Sequence, residues 1–410
     1  MPLLGSGRFD PVLSNFQTPS AALNDLFPSS RFTSGSGLSV SIPGGVNPAA
    51  VNNQPVVSLF GLGSYRTPQS QQWSLSLQRE IWHNMVVDIS YAGNVTKNLP
   101  VQWFFNQPTF SPVAVNPQSL DPAANPWLRR PFANFTIGSN IVANVLTSNY
   151  NAGTVKVDKR FSEGYSFLST YTWSKSIDQG AEVFTTGSNH AFLPNNLDFN
   201  QNRGVSVFDV PHRWVTSGIV ELPFGKGKRF LNSGGRRDKL FGGFRLSGVF
   251  TLQSGLPFTP YSLNLRTNTG ISIVERGDLV GEPYLTGEEW DQAVRAWETQ
   301  GVPLPFVRRA AINTNYAPGT GGNLGRNVFR APYGRSLNLS LAKVTQLGES
   351  TRLELRVDMF NVTREVLHAT NWALSVRGPA ILTSPDLGTI QGRNTFFVPH
   401  VVQLGAKLTF

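Results

Sequence analysis

Nine segments in which apolar and polar residues alternate one by one, joined by connections that are short and long in turn, constrain this chain more than any other feature. A period of two sends successive side chains to opposite faces of a β-strand, so each segment has one apolar and one polar face. Trp73, Leu75 and Leu77 alternate with Ser74, Ser76 and Gln78, and Val87, Ile89 and Tyr91 with Asp88 and Ser90. Tyr165, Phe167, Tyr171 and Trp173 oppose Ser166, Thr170 and Thr172, while Leu246, Gly248, Phe250 and Leu252 oppose Arg245, Ser247, Thr251 and Gln253. The pattern sharpens toward the C-terminus. Leu337, Leu339 and Leu341 alternate with Ser336, Asn338 and Ser340, and Leu353, Leu355, Val357 and Met359 with the charged set Arg352, Glu354, Arg356 and Asp358. The last segment sets Val402, Leu404, Ala406, Leu408 and Phe410 against Gln403, Gly405, Lys407 and Thr409. Strands are therefore expected at 70–80, 84–94, 150–161, 164–176, 212–223, 242–254, 334–347, 350–363 and 400–410.

The connections at 81–83, 162–163 and 348–349 are very short and that at 224–241 is moderate, whereas those at 95–149, 177–211, 255–333 and 364–399 are long. Compact soluble domains rarely carry several connections beyond ~12–15 residues. A transmembrane β-barrel does, with tight periplasmic turns at one rim and long extracellular loops at the other. Strand length agrees, because ~9–11 tilted residues cross a bilayer. The expected fold class is all-β, an antiparallel transmembrane barrel segment of about nine strands with long extracellular loops. Residues 1–64, rich in Gly, Ser, Pro and Asn without a period, read as an irregular linker, and 65–410 as the barrel part.

Composition removes other classes. Charged residues are 15% of the chain against roughly 25% in ordinary soluble domains, while 40% are hydrophobic and 11% aromatic. High-charge disorder does not fit that balance. No run approaches ~18 consecutive apolar residues, so no transmembrane helix is encoded. With no Cys, disulfide scaffolds, thiolate metal sites and thiol nucleophiles are absent. The net charge of +10 is scattered except for a cluster from Lys226 to Lys239, which reads as a basic turn between strands rather than a nucleic-acid surface. The N-terminus shows neither the basic nor the apolar region of a secretory signal.

Catalytic, metal and cofactor signatures are not found. Gly225-Lys226-Gly227-Lys228 lacks both the upstream Gly and the Ser or Thr of a phosphate loop. His83, His190, His212, His368 and His400 stand far apart, and none has a second ligand at metal spacing. Thr286 and Glu289 have capping-box spacing ahead of Trp290, Ala293, Val294 and Trp297, which predicts a loop helix whose tryptophan stripe packs on its neighbours. Glu288, Glu289 and Asp291 on that helix show no cleft for glycan hydrolysis.

Several stretches together resemble the C-terminal barrel of TonB-dependent outer-membrane receptors of the Oar-like type. They are RTPQSQQWSLSLQRE (66–80), YNAGTVKVDKRF (150–161), SFLSTYTWSKSID (166–178), FDVPHRWVTSGIVELPFGKGKRF (208–230), GGFRLSGVFTLQSGLPFT (242–259), NLGRN (323–327) and VQLGAKLTF (402–410). The resemblance implies a barrel of about 22 strands with a plugged lumen. It also implies an N-terminal plug and a short box that engages the energy-coupling TonB protein. Plug, box and earlier strands are not in this chain, which is expected to be a fragment inactive alone, located in the outer membrane and lacking a signal peptide.

In that frame Leu353, Leu355, Val357 and Met359 are expected to face outer-membrane lipid, and Arg352, Glu354, Arg356 and Asp358 the lumen as a salt-bridged wall. Gln403, Gly405, Leu408 and Phe410 match the ending that the resemblance identifies as the signal for the barrel-assembly machinery. Trp73, Trp82, Trp103, Trp173, Trp214 and Phe410 fit interfacial girdles or ordinary packing equally. The rival class is a soluble or surface-attached β-rich ligand-binding module, whose apolar strand faces would enclose a core.

Overall fold

A computed structural model describes residues 58–60, 66–132, 139–180, 198–232, 240–260, 267–270, 275–302, 304–313, 317–348, 350–363, 389–390 and 400–410, together with positions 135, 137, 195 and 235. All nine expected strands form: β1 (Gln69–Trp82), β2 (Met85–Trp103), β3 (Asn140–Ser162), β4 (Tyr165–Asp178), β5 (His212–Glu221), β6 (Phe244–Gln253), β7 (Gly334–Gln346), β8 (Arg352–Phe360) and β9 (Val401–Thr409). They pair antiparallel with their sequence neighbours from β1 to β9 in one sheet. Among the described residues the sheet does not close, because no pairing joins β1 to β9. No helix there is long and apolar enough to cross a membrane.

The cross-strand register gathers the alternating positions into two continuous faces. Leu404, Val357, Leu341, Leu246 and Val220 stand side by side, as do Val402, Met359, Leu339, Gly248, Gly218 and Phe167. Across the other half run Leu77, Ile89, Val155, Tyr171, Trp214 and Leu252. The opposite face aligns Gln403, Asp358, Ser340, Ser247, Ile219 and Ser166. Farther along lie Ser76, Ser90, Thr154, Thr172, Arg213 and Gln253. The apolar face is open rather than covered by a second layer: Leu75, Leu77 and Leu404 are 74%, 72% and 77% exposed.

Two boundaries differ from expectation. β2 continues to Trp103 and β3 starts at Asn140, so the connection expected over 95–149 shortens to a tall hairpin closed by 104–139. Its ladder shifts register between Thr96 and Pro100, next to Asn98 in the left-handed conformation, and these turn-forming residues are what mimic a strand end. Within the stretch expected to be an irregular linker, Ser58–Phe60 pairs in parallel with Asn140–Val142, while 1–57 and 61–64 lie outside the described residues. Most of 364–399 is likewise outside them.

The remaining loops build a layer at the long-connection end. Helix α1 (Gly287–Gln300) is opened by Thr286 and Glu289, which exchange both capping-box hydrogen bonds, and is closed by Gly301 at φ 69°. As expected of its tryptophan stripe, Trp290, Ala293, Val294 and Trp297 pack on a core of Phe258, Leu304, Phe306, Val307, Ile312, Leu324, Phe329 and Ala331. At the opposite end Gly243 enters β6 at φ 73°, and a Cβ there would lie 2.2 Å from the Val344 carbonyl oxygen. Gly243→Ala combines left-handed strain with a backbone clash at the first rung between β6 and β7. It should destabilise the folded sheet by about 1–3 kcal/mol, read as a lower denaturant midpoint in detergent, whereas Gly334→Ala, with open space around its Cβ position, should leave the midpoint unchanged.

Candidate functional site

Three regions could carry function: the polar sheet face, the apolar sheet face and the loop layer above them. On the polar face β8 presents Arg352, Glu354, Arg356 and Asp358, as alternation requires. Arg356 Nε contacts Asp358 Oδ2 at 2.8 Å along the same strand. In the same row as Arg356, beyond Ala342, Glu221 meets Arg245 at 3.4 Å and Lys228 from the following turn at 2.7 Å. A shallow depression of about 610 Å³ crosses this face, lined in part by Asp158, Ser166, Ser217, Ser247, Ser340 and Asp358. Leu168, Ile219 and Val249 share the lining with these hydroxyls and charges, so the face is of mixed character and presents no acid–base pair.

On the apolar face Leu353, Val357 and Met359 lie beside Leu408, Leu404 and Val402 of β9. Leu355 is different. It is flanked by Ala406 and Lys343 and stands three residues past the start of β8, close to the short-turn rim. Aromatic residues stand at both ends of the face, Trp82, Tyr165 and Phe244 at the short-turn rim and a second group toward the loops, where their polar tips are satisfied. The Trp214 indole donates to Ser169 at 2.9 Å, Tyr91 donates to Asn151 at 2.7 Å, and Tyr171 lies 2.8 Å from His212 Nδ1. Trp73 covers Gly93, where a Cβ would meet its ring at 2.3 Å. Trp103 departs from the girdle expectation: it sits in the tall hairpin, its ring edge-on to Phe199 at 4.9 Å.

The C-terminal set is divided between the faces. Gln403 and Gly405 are opposite Asp358 and Arg356 on the polar side, while Leu408 shares the apolar side with Leu353. Phe410 follows the last strand residue and is 87% exposed.

The loop layer holds a buried polar hub that alternation could not reveal. Asp178 ends β4, and its carboxylate lies 2.5 Å from Arg326 Nη1 with the two side chains 3% and 2% exposed. That nitrogen also donates to the carbonyls of Asp178 and Asn202. Asp209, just before β5, pairs with Arg330 and accepts from the Ser176 amide at 2.5 Å. Arg276 donates to Asn202 Oδ1 at 2.5 Å and to the carbonyls of Gln201 and Leu324. Burial, and secondarily the Arg326 charge, push its guanidinium down to about 10. Gly322 permits the close approach, since a Cβ there would fall 1.8 Å from the Arg276 carbonyl oxygen. Asn327 reaches the Val205 carbonyl at 2.6 Å. Of the hub's residues, Arg326 and Asn327 fall in NLGRN and Asp209 in FDVPHRW, where no local pattern marks a buried ion pair.

A second tie runs to the β2–β3 connection, where Arg129 donates to the Asn268 carbonyl at 2.6 Å and Asn268 to that of Ser111 at 2.8 Å. Three successive long connections are thus fastened into one cap. Among the described residues no group of three His, Cys, Asp or Glu side chains could hold a metal ion.

The chain belongs to the outer membrane beta barrel domain family, which matches residues 6–398. The sheet is thereby a barrel domain of the outer membrane. Among solved structures it is similar to the outer membrane transporter YddB from Escherichia coli, at 10% identity and a TM-score of 0.36, over 75% of this chain. The match spans 30% of the transporter's length. A search of curated proteins returned no match.

Arg326→Met would leave the Asp178 carboxylate buried without its counter-charge, at a cost of about 3–5 kcal/mol. The loss should be local. Limited proteolysis should open the 255–333 connection while the strands stay protected, and Asp178→Leu combined with Arg326→Met should restore part of the resistance.

Proposed function

We propose that this chain is the C-terminal barrel wall of a TonB-dependent outer-membrane receptor of the Oar-like type, a non-enzymatic passage for an unidentified substrate. Alone it is an inactive fragment, because the plug, the coupling box and the earlier strands belong to the rest of that receptor. One observation carries the reading. Nine sequential antiparallel strands present a continuous open apolar face and a polar one, yet the outer edges of β1 and β9 are unpaired among the described residues. Hydrocarbon does not tolerate open sheet edges, so such a wall is continued by further strands until it closes. A barrel much larger than nine strands has a lumen wide enough to need a plug. The order of the resembling stretches from 66 to 410 supports the TonB-dependent type.

In this reading Leu353, Leu355, Val357 and Met359 face lipid, and Arg352, Glu354, Arg356 and Asp358 face the lumen. Gln403, Gly405, Leu408 and Phe410 are read by the barrel-assembly machinery, and TonB acts only through the part that carries the box. A photo-crosslinker replacing Ser247 on the polar face, in the chain expressed from its own locus, should capture a plug segment of the same receptor. Capture of lipid alone, or of this chain's own loops alone, would sink the plugged-barrel reading.

The depth of each residue also follows. Leu341, between Leu246 and Val357, lies inside the apolar face, whereas Leu355 is near the rim. Leu341→Arg should cost about 2–4 kcal/mol and Leu355→Arg about 0–1 kcal/mol, measured by denaturant titration in lipid. In this Cys-free chain, a probe on Leu341→Cys should be quenched from within the bilayer and Ser340→Cys should react with an aqueous reagent. Equal aqueous reactivity at both would refute the assignment of faces.

A further inference from the structure

Among the described residues, charge and apolar surface concentrate together in the connection between β5 and β6, which touches the barrel wall through the Lys228 pair with Glu221 and is otherwise unused by wall or cap. From Phe224 to Phe241 it carries Lys226, Lys228, Arg229, Arg236, Arg237 and Lys239 against Asp238, which is +5 of the chain's +10. Its two ends lie at the rim of the short turns: the Glu221 amide bonds the Gly164 carbonyl of the β3–β4 turn, and the Val344 amide bonds the Gly243 carbonyl beside the β7–β8 turn. In barrels of this kind that rim faces the periplasm.

Its described part is an ordered turn. Gly225 and Gly227 have positive φ, the Gly225 and Phe230 backbones are hydrogen-bonded, and the Phe224 and Phe230 rings lie 5.8 Å apart. Phe224, Phe230, Leu231, Leu240 and Phe241 are all exposed, as are Lys226 and Arg229. Lys343 sets the orientation. It stands on the apolar face, donates to the carbonyls of Leu240 and Gly242 at 2.6 and 3.2 Å, and lies 4.5 Å from the centre of the Phe244 ring. Leu240 and Phe241 therefore continue the apolar face just past its last rung.

We propose that this connection is an anchor for anionic phospholipid in the leaflet at the short-turn rim. Its phenylalanines and leucines enter the acyl boundary while Lys226 and Arg229 meet headgroup phosphates. Apolar side chains beside basic ones are what an interfacial lipid-binding element requires. A nucleic acid would use the charge but leave exposed leucines and phenylalanines in water, directly against the apolar face. The inference rests on that face being the lipid side, which the labelling at 340 and 341 tests separately.

The test uses the complete receptor that carries this chain, with Leu231→Cys bearing a polarity-sensitive fluorophore, in nanodiscs of phosphatidylcholine or of three parts phosphatidylcholine to one of phosphatidylglycerol. Brominated acyl chains should quench the probe strongly only when phosphatidylglycerol is present. Each basic residue near such a surface contributes about a fivefold preference, so Lys226→Gln with Arg229→Gln should weaken the phosphatidylglycerol preference roughly 30-fold. Phe224→Ser with Phe230→Ser should keep the salt-sensitive preference and lose the quenching. Equal quenching in both lipid mixtures overturns the anionic specificity. A probe that stays aqueous in both overturns the anchor and assigns the charge to an acidic protein partner. Loss of the 340 and 341 labelling pattern would instead refute the assignment of faces, and the anchor with it.

Discussion

A strand in hydrocarbon has no water to satisfy its amides and carbonyls, so its hydrogen-bond partners must be the strands on either side. That constraint demands a ladder without gaps, and the positions of the irregularities follow it. Register shifts occur between Glu80 and Trp82, between Thr96 and Pro100, and between Lys159 and Ser162. The first and last adjoin short turns, and the middle one lies where β2 has already run longer than ~9–11 residues, enough to cross a bilayer. Between these points the pairing is regular, and a period of two then allows only two outcomes for the entire sheet, apolar face outward or inward. In an outer-membrane barrel the outward choice leaves Leu75, Leu77 and Leu404 exposed in the protein alone.

The consequence is an inverted distribution of buried residues. Of the buried hydrophobic residues among those described, Ala152 is the only one in the part of the sheet with regular two-faced alternation; Val101, Val142, Ala143 and Leu146 belong to the tall hairpin, and the others to the loops. The hydrophobic core in the usual sense is that of the cap. Its charged hub is held differently. A buried ion pair loses hydration on forming, and its net contribution to stability is small, but Asp178 and Asp209 admit few arrangements of Arg326 and Arg330. The pairs specify which loop lies over which strand end more than they stabilise the cap.

The parts legible in the sequence are those where water or lipid meets one face and the other face differs. All nine strands had that property along most of their length. From Ile141 to Leu146 it is lost, because Val142, Ala143 and Leu146 are buried on opposite sides of β3 and the run is apolar but for the buried Asn144. The β3 start was therefore placed at 150. On β2, Asn98 and Pro100 are residues that end strands elsewhere, and only the partner strand shows that they make a bulge. Asp178 and Arg326 are 148 residues apart, and nothing local in either segment identifies its partner. Their ionic pairing is a property of three-dimensional closure, whereas the helix cap of Thr286 and Glu289 closes within one turn and was legible outright.

Both ends of the apolar face carry aromatic and basic residues, and their polar atoms are satisfied in different ways. Toward the loop cap, Trp214, Tyr171 and Tyr91 present broad rings whose polar tips bond Ser169, His212 and Asn151. At the short-turn rim Lys159 and Lys343 occupy apolar-face positions, and their ammonium groups turn to rim oxygens and over the rings of Tyr165 and Phe244. A lysine can lay its stem along apolar surface only while its head reaches water or headgroups. Lys159 is buried against Ser162 and Tyr165; in the lipid-facing orientation proposed above, sliding the sheet toward the cap would drag the Lys343 head into hydrocarbon, and sliding it the other way would bury the hydrogen-bonded tips of the aromatic residues. In that orientation both ends of the wall resist sliding, independently of how the ring around it is completed.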